Sequence, residues 1–208
     1  MTAAARTLPI ALLAVGIAAL VISGIGAYDR TTWILEVLPI FIGVPILIAT
    51  RKRFPLTPLL YCLIFVHALI LMLGGHYSYA RVPLGTWIES AFHLSRNPYD
   101  RIGHLAQGFV PAILAREVLL RKTPLRRGGW LFFLVTSVCL AFSACYELFE
   151  WWSAVLGGSA ADDFLGTQGD PWDTQWDMFS ALIGALAAQL LMARWHDRQL
   201  ARYLSNSP

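Results

Sequence analysis

The chain has 208 residues, 57% of them apolar or aromatic and only 14% charged, with a mean hydropathy of +0.57. A soluble domain carries about 25% charge, so the composition excludes a soluble globular domain, a disordered tail and a disulfide-stapled secreted module, and leaves a polytopic membrane protein. The net charge of +3 is small and the basic residues form no stripe interleaved with aromatics, so the expected partner is the lipid bilayer and not nucleic acid.

A spanning helix needs about 20 mostly apolar residues. Six segments meet that length, at about 8–27, 31–49, 54–75, 102–120, 128–152 and 177–193. The expected fold is therefore all-α, a single membrane domain over 1–208, because an open sheet would leave backbone groups unsatisfied in lipid. The first segment also has the basic start and small residues of a cleaved signal peptide. Its apolar run is longer than the usual h-region of about 7–15 residues, so retention is expected.

Orientation follows from the cations. Arg6, Arg51, Lys52, Arg53, Arg116, Arg121, Lys122, Arg126, Arg127, Arg194, Arg198 and Arg202 fall on one side, and Arg30, Arg81, Arg96 and Arg101 on the other. The positive-inside rule puts both termini in the cytoplasm. Trp33, Trp151, Trp152, Trp172 and Trp176 then sit at outer helix ends and Trp130 and Trp195 at inner ones, as an aromatic belt requires.

The elaboration lies on the outer face. The stretch 76–99 is long, and its Trp87, Ile88, Ala91 and Phe92 suit a short interfacial helix. The stretch 153–176 is rich in Gly and Asp, and loops of this length are usually functional or disordered. Prolines 39, 45 and 111 fall within spans and are expected to kink them. Ala181, Gly184, Ala185 and Ala188 recur at a spacing that admits a close helix neighbour. Cys62, Cys139 and Cys145 read as buried small residues, with no disulfide or thiolate site.

Three polar pairs stand out. Asp100 and His104 begin the fourth span, with Gln107 one turn deeper. Glu147 and Glu150 end the fifth, and Asp173 and Asp177 begin the sixth, after Asp170. Spacings of three and four put each pair on one helix face. Acidic residues within spans are costly and turn towards a bundle interior or a cavity, so the three pairs are expected to line one outward-facing pocket. The plainer alternative is that Asp100, Asp173 and Asp177 cap helices and that Glu147 and Glu150 snorkel or pair with Arg96 and Arg101. That alternative is weakest for the two glutamates, which sit at a helix C-terminus where negative charge is unfavourable. Of the remaining polar residues, His67 reads as a core histidine, and Glu36 either joins the pocket or faces headgroups.

The run from Tyr99 to His104, the block from Glu147 to Trp152 and the segment from Gly166 to Met178 resemble the YjdF family of bacterial inner-membrane proteins. More distantly the pattern is similar to the VanZ-like family. Asp100, Arg101 and His104 match its first motif, whereas Glu150 and Asp177 stand where that family has Gln and Asn. The resemblance implies a multi-pass inner-membrane bundle and brings no activity with it.

Carboxylates with one imidazole suit a divalent ion. The candidate ligands are His104, Glu147, Glu150, Asp173 and Asp177, and the candidate catalytic set adds Asp100. A metal there would act on an envelope or lipid-linked substrate as a Lewis acid. Alternatively, close carboxylates share a proton, as in a proton- or ion-coupled transporter, or the polar network is structural only. A carrier needs polar residues in the inner half of the bundle. There the expected ones are few: Gln189, Thr136 and Ser137.

Overall fold

The computed structural model describes residues 3–157 and 167–204. Among them are seven α-helices: α1 (Ala3–Gly24), α2 (Arg30–Thr50), α3 (Pro58–Tyr77), α4 (Pro83–Phe92), α5 (Tyr99–Lys122), α6 (Gly129–Gly157) and α7 (Asp173–Leu204). A single 3-10 turn, Tyr79–Arg81, precedes α4. Five of the helices, α1, α2, α3, α6 and α7, are long and apolar enough to cross a membrane. The chain is thus an all-helical, multi-pass membrane bundle, with no strand among the described residues.

The fourth expected span, α5, is not one of those five by length and composition, since it carries Asp100, Arg101, Arg116, Glu117, Arg121 and Lys122. It is nevertheless the interior helix. Its contacts are densest with α7, and it also packs on α6 and α3. At one end Asp100 approaches Arg96 at 3.5 Å. At the other Arg116 reaches Asp197 of α7 at 2.7 Å. The charges of α5 cluster near its ends, where Asp100, Arg116 and Glu117 are buried and Lys122 is exposed; this lowers its hydropathy while leaving an apolar middle.

Local chemistry sets the helix starts. The Asp29 side chain accepts from the Thr32 amide at 2.7 Å and caps α2. Proline occupies the first helical position of α3 and α4, where its missing N–H costs nothing. Asp100 lies in the first turn of α5 and Arg121 and Lys122 in its last, matching the helix dipole. Prolines 39, 45 and 111 all lie inside continuous helices.

The small-residue stripe on α7 seats α5. A Cβ at Gly108 would overlap the Ala181 carbonyl oxygen, and one at Gly184 the Leu105 carbonyl oxygen. The two backbones therefore touch, and Ala185 and Ala188 continue the seam into a core with Leu60, Ile113, Val135 and Cys139. This apolar layer lies between a polar cluster at the acidic end of the bundle and another at the basic end. Of the cysteines only Cys139 is buried. Cys62 and Cys145 are exposed on the bundle surface, contrary to expectation, because α3 and α6 turn those faces outward.

The long 76–99 stretch does contain the expected short helix, α4, with Leu84, Trp87 and Phe92 exposed. Of the second long stretch, 158–166 lie outside the described residues, including Gly166 of the quoted motif. Of the eight tryptophans Trp33 is the one turned inward; its indole N–H donates to Ser23 Oγ at 3.1 Å. Trp130, Trp151, Trp152, Trp172, Trp176 and Trp195 are exposed.

Candidate functional site

His104 is the centre of the acidic end. It lies one turn below Asp100 on α5, and Glu147 of α6 and Asp177 of α7 flank it. Its Nδ1 is 2.9 Å from Gln107 Oε1 and 3.6 Å from Glu147 Oε1. Its Nε2 is 3.5 Å from Asp100 Oδ1 and 4.0 Å from Asp177 Oδ2. Acceptor oxygens thus face both ring nitrogens, and a neutral imidazole carries a proton on only one of them, so one of the two sides meets no N–H. Ligand atoms of Asp100, His104 and Asp177 all lie within 4.8 Å of one another.

Asp100, His104, Glu147, Glu150, Asp173 and Asp177 are all buried. They do not all serve one contact. Asp173 pairs with Arg96, which also lies 3.7 Å from Asp170, and Arg101 pairs with Asp170 at 2.8 Å. The two guanidiniums thus serve the aspartates around the start of α7, not Glu147 and Glu150. Asp177 Oδ1 and Glu147 Oε1 are buried without a hydrogen-bond partner. An anionic oxygen in that state is costly unless a cation or proton reaches it.

A cavity of about 60 Å³ adjoins the cluster, with Glu150, Asp100 and His104 on its wall. Its other polar lining residues are Glu36, His67, Tyr79, Gln107 and Tyr146. The structure therefore brings Glu36 into the pocket. It also overturns the reading of His67 as a satisfied core histidine, because His67 Nε2 is buried with no partner and the ring borders this space. Room for these groups comes from glycines. A Cβ at Gly74 would overlap the Tyr79 ring, one at Gly103 would come within 2.8 Å of it, and one at Gly75 within 3.1 Å of Glu36 Cβ. Tyr79 is wedged into that slot and hydrogen-bonds Glu36.

Asn97, which sequence reasoning passed over, holds the rim. It exchanges two hydrogen bonds of 3.0 Å with Gln168, donates to the Val82 carbonyl at 3.1 Å and caps the Tyr99 amide at 3.0 Å. It thereby ties the segment before α7 to the start of α5, which places Asp170 against Arg101. A Cβ at Gly85 would overlap its side chain. Its buried amide beside Arg96 had no spacing signal in the sequence.

A second polar cluster lies at the basic end. Glu117 accepts from the Thr57 hydroxyl at 2.8 Å, the Thr57 amide at 3.2 Å and Arg121 at 2.6 Å, and faces His196 Nε2 at 3.0 Å. Arg116 joins His196 at 2.8 Å. The expectation of an inner half poor in polar side chains is thus corrected. Helix α7 runs on past Ala193, and the extra turns carry His196 and Asp197 against α5.

Three comparisons bear on this geometry. The family model "Predicted membrane protein (DUF2238)" matches residues 8–198. The chain is similar to the inner membrane protein YjdF of Escherichia coli (strain K12), 56% identical over 184 residues and covering 88% of each chain. No solved structure matches.

Proposed function

We propose, from the premise that this chain belongs to the DUF2238 family of predicted membrane proteins, that it is a multi-pass bacterial inner-membrane protein whose pocket binds a divalent metal ion. Asp100, His104 and Asp177 are the core ligands and Glu147 stands beside them. The pocket faces outward if the cations mark the cytoplasmic side. The observation that carries the reading is the convergence of ligand atoms of Asp100, His104 and Asp177 within 4.8 Å of one another, with Asp177 Oδ1 and Glu147 Oε1 buried without a hydrogen-bond partner. A divalent ion held by Asp100, His104 and Asp177 would supply the positive charge that the Asp177 carboxylate lacks. Seven carboxylates, at Asp100, Glu147, Glu150, Asp170, Asp173, Asp177 and Glu36, share this end of the bundle, and among the described residues the arginines paired with them are Arg96 and Arg101, at Asp100, Asp170 and Asp173.

The adjoining space of about 60 Å³, lined by Asp100 and His104 but not by Asp177, accommodates a few waters, not an organic molecule. An envelope or lipid-linked substrate would therefore present one donor group to the ion at the rim, where the ion acts as a Lewis acid. Mixed imidazole and carboxylate ligation suits Mn²⁺, Zn²⁺ or Fe²⁺ better than an all-oxygen ion.

A second reading is proton- or ion-coupled transport. It is favoured by the cavity's reach to His67 in the middle of α3 and by the buried Glu117–His196 pair at the opposite end. Against it stands the apolar layer between the two clusters.

The deciding experiment is thermal unfolding of the purified protein with and without divalent ions, after chelation. An ion at about 100 times its Kd adds about 2.7 kcal/mol to a folded state that alone binds it. Asp177→Asn and His104→Ala should abolish that gain. If no divalent ion shifts the wild type and Asp177→Asn melts higher, the carboxylates merely repel and the metal reading is lost.

A further inference from the structure

A second, much larger space lies outside the site. Helices α1 and α2 both pack on α3 and scarcely touch each other. They meet at the acidic end, where Trp33 donates to Ser23, a Cβ at Gly24 would come within 3.0 Å of the Trp33 ring, and the Tyr28 amide donates to the His76 carbonyl at 2.8 Å. Beyond this clasp they separate. A groove of about 1020 Å³ opens between them, with Ile64 and Phe65 of α3 on its floor. Its walls expose Ile10 and Ile17 on one side and Phe41 and Ile48 on the other. At its basic end Arg51 and Lys52 line it, and among the described residues no carboxylate does.

We infer that this groove holds an anionic glycerophospholipid, its acyl chains between α1 and α2 and its phosphate at Arg51 and Lys52. The volume is at the upper end of the 300–1,000 Å³ or so typical of small-molecule pockets, and its exposed apolar walls would be covered by acyl chains in a bilayer. Apolar walls alone would not select an occupant, because lipid tails are as apolar as the side chains they replace. Selection therefore comes from the head group. Basic pockets between spanning helices recognise anionic lipid head groups, and each Lys or Arg near such a surface contributes about fivefold. The two cations then give a preference of about 30-fold for an anionic over a zwitterionic lipid of the same chains. Clustering of both cations at one end of an acid-free, two-walled slot fits a phosphate on two chains better than an apolar helix.

The test is native mass spectrometry of the full chain in mild detergent, titrated with phosphatidylglycerol or phosphatidylethanolamine of matched chains. The wild type should retain one phosphatidylglycerol with about 30-fold preference. Arg51→Gln with Lys52→Gln should erase the preference, and Ala68→Trp, which fills the groove, should abolish retention of either lipid. Should Ala68→Trp fail to fold, the charge variant decides alone, since it lies in the connection after α2. Equal retention of the two lipids by the wild type would overturn the inference, as would a preference that survives the charge variant. Retention of a second copy of the chain or of detergent alone in the groove would overturn it too. Neither result touches the metal pocket, so the two readings stand or fall separately.

Discussion

His196 Nε2 and Glu117 Oε2 lie 3.0 Å apart, and neither side chain is exposed at all. Glu117 also accepts from both the amide and the hydroxyl of Thr57, the residue just before α3. One carboxylate therefore ties α3, α5 and α7 together at the basic end. Removing one partner of a buried pair costs about 3–5 kcal/mol, because the remaining polar groups lose their compensation. Glu117→Ala should lower stability in detergent by about 3 kcal/mol, read by thermal unfolding. Glu117→Gln keeps an acceptor for Thr57 and should cost less. A change within about 0.5 kcal/mol for the alanine variant, the size typical of surface sites, would show that the network is dispensable.

The contact of Gly108 with Ala181 sets the spacing of α5 and α7. Backbone cannot move aside as a flexible side chain can, so Gly108→Ala must push the helices apart. Overpacking of this kind costs about 1–3 kcal/mol. Both polar clusters depend on that spacing, so metal-dependent stabilisation should fall along with the melting temperature. Val138→Ala, on the exposed face of α6, serves as the control and should change neither.

Tyr79 is confined by Gly74 on α3 and Gly103 on α5. Gly74→Ala should expel the ring and free Glu36 from its hydrogen bond, at a cost of about 1–3 kcal/mol. Tyr79→Phe removes only the hydroxyl and should cost about 1 kcal/mol. If the two variants melt alike, the fit of the ring is not what orders this wall of the cavity.

The cation distribution predicts both termini on the cytoplasmic side. Reporter fusions after Arg53 and Arg127 and at the C-terminus should give cytoplasmic signals, and fusions after Arg81 and Gly169 should give extracytoplasmic ones. An extracytoplasmic signal after Arg127 would invert the bundle and put the His104 pocket on the other face.

Legibility from the sequence varied with the kind of signal. Apolar runs identified α1, α2, α3 and α6 closely, because length and hydropathy are local properties. The end of α7 was misjudged, since the polar residues after Ala193 read as a cytoplasmic tail while they in fact continue a helix against α5. Asp100, His104, Glu147 and Asp177 were legible as a converging set, because paired spacing fixes the helix face and a membrane makes buried charge conspicuous. Asn97, Tyr79 and His67 were not. Their importance comes from what packs beside them across the bundle, and a single buried amide, phenol or imidazole has no periodicity to betray it.

That this is an all-helical membrane protein, and which acidic residues lie near one end of its helices, is already set by the order of residues along the chain. Helix formation and membrane residence follow from hydrogen bonding and transfer energies, which act residue by residue along the chain. Packing between helices sets how those residues are shared out: Asp173 to Arg96, Asp170 to Arg101, and Asp177 to the Nε2 side of His104. It also decided that Glu117 and His196 meet in the interior at the opposite end. Partner choice depends on distances of a few ångströms between different helices, and those are set by the glycines that let α5, α7 and the Tyr79 ring close on one another.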